Sequence, residues 1–233
     1  MRVGVIDYGV GNLGSVVRAV EKLSVSPVLV NRAADLHASD CLILPGVGNF
    51  ADCMSLLNQH DWADTLREEV VGFGRPLLGL CVGMQLLASR GDEGAIGAAD
   101  GGLPGLGLIP GRVSHLRDQG CELRVPHVGW NAIASTSVAD PLLSGIPDGT
   151  DFYFVHSYGF VADDQTDVLA TTASRSPQPC GAVTCGERSF TRRRAQRQER
   201  NSCAISSWVT DAENSCHSDV VVETVGSGQG CRL

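Results

Sequence analysis

The chain has 233 residues, 43% of them hydrophobic, and a net charge of −8 at pH 7. That length buries one sizeable core, the charge argues against nucleic acid as the main partner, and no apolar run is long enough to imply a membrane span. Met1 leads directly into a strand-like run with no leader pattern, so a cytoplasmic location is expected. Nine cysteines in such a chain suggest thiols, and no Cys-x-x-Cys pair offers a zinc site, so no metal is expected.

The run from Arg2 to Asp7 reads as a first strand, and Val16, Val17, Ala19 and Val20 predict a helix over 15–23. Between them Gly9, Gly11 and Gly14 spell G-x-G-x-x-G, which in a dinucleotide-binding unit cradles a pyrophosphate. The acidic residue that should end the next strand, 27–30, is missing, because that strand ends at Asn31. Asp7 also places an anion where a phosphate would approach. A glycine-rich turn is the better reading.

The third strand, 41–44, runs into Pro45-Gly-Val-Gly-Asn-Phe50, where Gly46 and Gly48 flank Val47 and free the backbone amides to face a cleft, as an oxyanion hole requires. Met54, Leu56, Leu57, Trp62 and Leu66 suggest helices. The apolar run 76–80 is a buried strand, and 82–88 reads as a helix. Gly79 and Gly83 leave room for a tight turn between them, so Cys81 would occupy a strained elbow with its sulfur exposed above the sheet. Amides opening the helix would favour its thiolate. A buried, inert cysteine has the same spacing, so both readings stand at this point. The element order implies an α/β fold with a mostly parallel central sheet and helices on both faces, whose ligands bind at the carboxyl ends of strands. Asp7, Gly46 and Cys81 all fall there.

Glycine dominates 91–111, which reads as a long surface loop. Short strands are expected over 112–116, 122–125 and 131–134, with Val125 to Asn131 joining the last two. An aromatic strand is expected over 152–158, and others over 168–172 and 181–184. His127 and His156 are each candidates for the base of Cys81 or for hydrogen bonding in a polar cleft.

The segments Asp7-Tyr-Gly-Val-Gly-Asn-Leu-Gly-Ser15, Pro45-Gly-Val-Gly48, Gly79-Leu-Cys-Val-Gly-Met-Gln85, Pro126-His-Val-Gly-Trp-Asn131 and Phe152-Tyr-Phe-Val-His-Ser-Tyr158 resemble the glutaminase subunits of imidazole glycerol phosphate synthases, within the class I glutamine amidotransferases. The resemblance runs from Arg2 to about Gly186. It implies that Cys81 attacks the glutamine carboxamide, that amides of Gly46, Val47, Gly48 and Val82 hold the oxyanion, and that Gln85 seats the substrate. Backbone groups near Ser157 and Tyr158 would line the same pocket. It further implies no metal or bound cofactor. The partner would be a barrel-shaped cyclase subunit, reached across an interface including Asn12 and Trp130, which uses the ammonia to make imidazole glycerol phosphate and AICAR in histidine biosynthesis.

One part of the pattern is absent. Such glutaminases carry a Gln-Phe-His-Pro-Glu-Lys-Ser segment near the C-terminus, and this chain has no His-Pro-Glu. The triad His and Glu are expected near Thr191 to Arg193, where the sequence reads arginine-rich. Leucine, common up to Leu169, does not recur until Leu233, and six arginines fall between Arg188 and Arg200. Reading each residue's third base as the first base of the next codon lets Arg188 to Arg194 encode Gln-Phe-His-Pro-Glu-Lys, and Glu199 to Ile205 an amphipathic Ala-Glu-Leu-Leu-Arg-Asn-Phe. A stop is then permitted where Thr210 meets Asp211. The expectation is an amidotransferase domain over 1–186 with its C-terminal part altered, and a disordered tail over 187–233 produced by a one-base slip near Gly186. The alternative, taking the tail at face value, is a catalytically defective subunit that serves as a binding or interaction protein.

Overall fold

A computed structural model describes residues 1–172, apart from 24, 96, 98–100, 137–140 and 144, together with 182–184. The expected tail over 187–233, including Thr191 to Arg193, lies outside the described residues.

The first half alternates strand and helix: β1 (Arg2–Ile6), α1 (Leu13–Lys22), β2 (Ser26–Val30), β3 (Cys41–Leu44), α2 (Phe50–Leu57), α3 (Trp62–Arg67), β4 (Leu77–Gly79) and α4 (Val82–Gln85). The four strands form one parallel sheet in the order β2-β1-β3-β4, with Val5 opposite both Leu29 and Ile43, and Leu44 opposite Gly79. Alternation along each strand assigns the faces. Val3, Val5 and Ile43 pack with Val20 and partly buried Leu13, Val16 and Val17 of α1. Leu42 and Leu44 point the other way, into a larger cluster with Phe50, Met54, Leu57, Trp62 and Leu66 of α2 and α3. Helices therefore cover both faces, and the carboxyl ends of β1, β3 and β4 share one edge of the sheet.

The second half is β-rich: β5 (Ala88–Gly91), β6 (Leu103–Pro104), β7 (Ile109–His115), β8 (His127–Ser135), β9 (Asp151–His156), β10 (Tyr158–Ala162), β11 (Val168–Thr172) and β12 (Ala182–Thr184). They form two further four-stranded sheets, ordered β10-β7-β5-β6 and β12-β11-β8-β9. Both are largely antiparallel, the exception being β5 and β7, which pair in parallel, so only the central sheet is parallel throughout.

Several expectations are corrected here. The helix expected over 82–88 stops at Gln85, because the carbonyls that would continue it are taken from outside: Leu106 N–H donates to Leu86, Leu108 and Ile109 to Leu87, and Gly107 to Ala88, each at 2.8–2.9 Å. The chain leaves as β5 instead. The stretch 91–111 is not a surface loop throughout, since Leu106, Leu108 and Ile109 are buried in the main cluster. The Pro126 to Asn131 run lies almost wholly within β8, no strand forms over 122–125, and the aromatic segment breaks at Ser157 to start β10. Cys121 is disulfide-bonded, against the expectation of thiols throughout, whereas Cys41, Cys53 and Cys81 are free of disulfides.

The chain passes close to itself at one point. A Cβ at Gly83 would strike the Leu44 carbonyl oxygen, and one at Gly46 would sit 2.5 Å from the Gly83 nitrogen. Gly83→Ala should therefore lower stability by roughly 1–3 kcal/mol or prevent folding. Gly14→Ala should be neutral or stabilising by up to about 1 kcal/mol, since a Cβ at that helical position meets nothing nearer than the Arg18 guanidinium at 3.4 Å. Urea unfolding midpoints of the two variants against the parent check both.

Candidate active site

Cys81 connects β4 to α4 with φ 61° and ψ −127°, a conformation that residues with a Cβ rarely adopt. Such backbone costs on the order of 1–3 kcal/mol and is held only where the surroundings over-determine it. Here they do. Leu80 N–H donates to the Leu44 carbonyl at 2.9 Å, tying the elbow to the end of β3, and Gly79 is pressed against the Met84 backbone. The residue is only 9% exposed, so it lies in a recess within the main core cluster and does not stand open above the sheet as expected. The helix after it is a single turn, so any help to a thiolate comes from a few nearby amides and not from a long dipole.

The loop after β3 runs directly beside this elbow. Gly46 abuts the Val82–Gly83 backbone, Val47 is 46% exposed, and Gly48 has φ +102°. The buried Cys53 thiol of α2 donates to the Val47 carbonyl at 3.4 Å and so fixes one side of the loop. As the first residue of α4, Val82 has an N–H with no intrahelical acceptor, and among the described residues it has no backbone acceptor. Tyr8, two residues beyond β1, has a buried hydroxyl; burial first, then the thiols of Cys53 and Cys81, raises its pKa far above the usual phenol value.

The glycine-rich turn after β1 is closed by the Asp7 carboxylate, which accepts from Gly9 N–H at 3.2 Å. That supports the turn over a pyrophosphate cradle. Asn12 caps α1 through its side-chain oxygen and is exposed, while Trp130 is 56% exposed on β8, edge-on to Tyr153 at 5.5 Å between ring centroids.

Gln85, at the end of α4, is fully buried. Its Nε2 donates to the Tyr158 carbonyl at 3.4 Å, and its Oε1 has no hydrogen-bond partner among the described residues. The 157–159 segment is clamped from three sides: Leu116 N–H donates to Ser157 O, Gln119 Nε2 to Gly159 O, and His156 Nδ1 to Tyr158 O, each at 2.9 Å. Ser157, Tyr158 and Gln85 are thus brought together.

Neither His127 nor His156 is set up as a base for Cys81. His127 Nδ1 lies 2.9 Å from His156 Nε2, and Asn131 Nδ2 lies 2.6 Å from His127 Nε2, so all four ring nitrogens are committed. Burial lowers both pKa values, that of His156 to about 4, with the neighbouring His127 adding to the effect. The hydrogen-bonding reading is the one the geometry supports.

Sequence reasoning missed Glu93. It follows β5, which packs on α2 with Gly91 against the Phe50 ring, and its buried carboxylate accepts Phe50 N–H at 3.1 Å where the Pro45 to Phe50 loop enters α2. Burial, with a smaller contribution from Asp52, raises its pKa to about 7. Its charge adds to the upward pKa shifts of Tyr158 and Cys53, which burial dominates. No spacing in the sequence marks it, because only tertiary burial distinguishes it from its solvated neighbours.

A profile of the family "Glutamine amidotransferase class-I" matches residues 4–190. The chain is 45% identical over 169 residues to "Imidazole glycerol phosphate synthase subunit HisH 1" of Prochlorococcus marinus (strain MIT 9313), covering 72% of this chain and 77% of that protein. It is 36% identical over 182 residues to the HisH subunit of Acinetobacter baylyi (strain ATCC 33305 / BD413 / ADP1), covering 78% and 84%. Among solved structures, a glutamine amidotransferase crystal structure superposes with a TM-score of 0.58 at 17% identity, covering 89% of this chain and 96% of that one. The PurLQS structure from Thermotoga maritima superposes with a TM-score of 0.56 at 16% identity, covering 80% and 82%. These two show the fold alone. With a strained elbow at Cys81, a glycine loop beside it and relatives of this identity and coverage, the chain belongs to the class-I glutamine amidotransferases, and within them to the HisH subunits of imidazole glycerol phosphate synthase.

Proposed function

We propose that this chain is the glutaminase subunit of an imidazole glycerol phosphate synthase, with Cys81 as its nucleophile. The observation that carries the catalytic assignment is the strained Cys81 elbow with the Gly46–Gly48 loop packed against Val82 and Gly83. The Cys81 thiolate adds to the carboxamide carbon of glutamine, and amides of Val82 and the 46–48 loop receive the negative oxygen. The tetrahedral intermediate expels ammonia once its nitrogen is protonated, leaving a thioester that water hydrolyses to glutamate. The proton carrier is the His of the His-Pro-Glu segment, which the alternative reading frame places across the codons for Phe190 and Thr191. Ammonia then passes to a barrel-shaped cyclase subunit docked over a face including Asn12 and Trp130, for histidine biosynthesis in the cytoplasm.

Glutamine suits the recess chemically. Gln85 Oε1 and the Glu93 carboxyl are two buried acceptors with no Lys or Arg bonded to either among the described residues. Such a pair calls for a donor-rich, cationic group, and the α-ammonium of an amino acid is one.

A second reading, a binding subunit without glutaminase activity, rests on the missing His-Pro-Glu alone. Glutaminase assays separate the two. The chain as written should be slower by about three orders of magnitude or more than the chain carrying Gln-Phe-His-Pro-Glu-Lys in place of 189–194 with the reframed continuation, because loss of a triad base costs on that order. Cys81→Ser in the reframed chain should abolish turnover. An inactive reframed chain would count against the functional reading; substantial Cys81-dependent turnover by the chain as written would count against the need for the segment.

The Glu93 role makes a separate prediction. Since the carboxylate form binds an ammonium, glutamine should bind more tightly as the pH rises through about 7, with proton release at lower pH. Glu93→Gln should weaken binding and flatten the pH dependence between pH 6 and 8, as read by titration calorimetry.

A further inference from the structure

The Tyr158 carbonyl accepts from two donors, His156 Nδ1 at 2.9 Å and Gln85 Nε2 at 3.4 Å. A carbonyl only accepts, so His156 carries its proton on Nδ1, and its Nε2, when the ring is neutral, presents a lone pair. His127 Nδ1, 2.9 Å away, must then be the donor of that contact, which leaves His127 Nε2 to accept from Asn131 Nδ2 at 2.6 Å. Every proton in the chain Asn131, His127, His156, Tyr158 is fixed in one direction. The opposite ordering would set two lone pairs against each other at the carbonyl. His127 is held in plane by stacking on Phe154, with centroids 5.0 Å apart and planes 16° from parallel. His156 is fully buried, so water does not compete for these bonds.

The same carbonyl sets the flip of the Gln85 amide. Only Nε2 can face it, so Oε1 is turned the other way, where it is buried and has no partner among the described residues. We propose that His156 and, behind it, His127 are positioning residues of the glutamine seat: by holding the Tyr158 carbonyl they lock the Gln85 amide with Oε1 presented to the ligand. This rests on the reading of the recess as a glutamine site.

Two measurements on the full chain test it. Long-range 1H–15N correlation of histidine-labelled protein should show Nδ1–H and unprotonated Nε2 on both rings at neutral pH; an Nε2–H tautomer of His156 overturns the proposal and requires no variant. Titration calorimetry with L-glutamine should show His156→Phe weakening the Kd about tenfold, the expected effect of losing a buried hydrogen bond at the seat. His156→Asn, whose Nδ2 retains the donor, should stay within about threefold of the parent. Unchanged affinity in a folded His156→Phe, or equal losses in both variants, overturns the positioning role. If the tautomers are as stated but the unaltered chain binds no glutamine, the functional reading fails and this inference falls with it.

Discussion

The carboxyl edge of the parallel sheet depends on how closely the start of α4 approaches the end of β3. Leu80 N–H reaches the Leu44 carbonyl, Gly83 touches the same carbonyl, and Gly46 lies on the Val82–Gly83 peptide. Removing either glycine's freedom would force the two segments apart. Cys81 would then relax from its positive φ, and the amides of the 46–48 loop would move away from the sulfur. Strain at one residue and contact between two backbones are therefore a single feature, and the order of parallel strands is what brings its parts together.

Around that feature backbone donors lie at the elbow, where the Val82 N–H has no backbone acceptor among the described residues, and buried side-chain acceptors lie behind it. The Gln85 oxygen and the Glu93 carboxyl are buried acceptors on different elements, the Tyr158 carbonyl is held by Gln85 and His156, and burial lowers the pKa of both His127 and His156. A recess of this kind is poorly solvated when empty and holds a protonated amine well. At the glycine turn of Gly9 and Gly11 the Asp7 carboxylate closes the loop and puts an anion where a dinucleotide phosphate would approach.

The central sheet and the elbow were legible because buried parallel strands are short apolar runs, and glycines mark where they turn. Cys41 to Leu44, Pro76 to Leu80 and the glycines at 46, 79 and 83 carried that information directly. The helix after Cys81 is shorter than its apolar pattern over 82–88 suggests, because nothing local reveals that 106–109 will claim the carbonyls of Leu86 to Ala88. Glycine misled in 91–111, where a Cβ at Gly105 would meet the Ala88 carbonyl; the residue permits packing there and does not mark a loop. Glu93 was invisible for a related reason, since its pKa near 7 arises from burial by distant segments. The segment expected to supply the triad base lies outside the described residues.

Trp130 projects from β8 with more than half its surface in water, while Trp62 is sealed in the core at 3% exposure. Indole emission moves to shorter wavelength when the ring leaves water, so the described residues contain one chromophore tuned to the interior and one tuned to the outer face of β8; the third tryptophan, Trp208, lies outside them. Tyr153, edge-on to Trp130, is close enough to pass excitation to it. Any protein that covers this face would report its arrival as a blue shift of native fluorescence, without a label and without turnover.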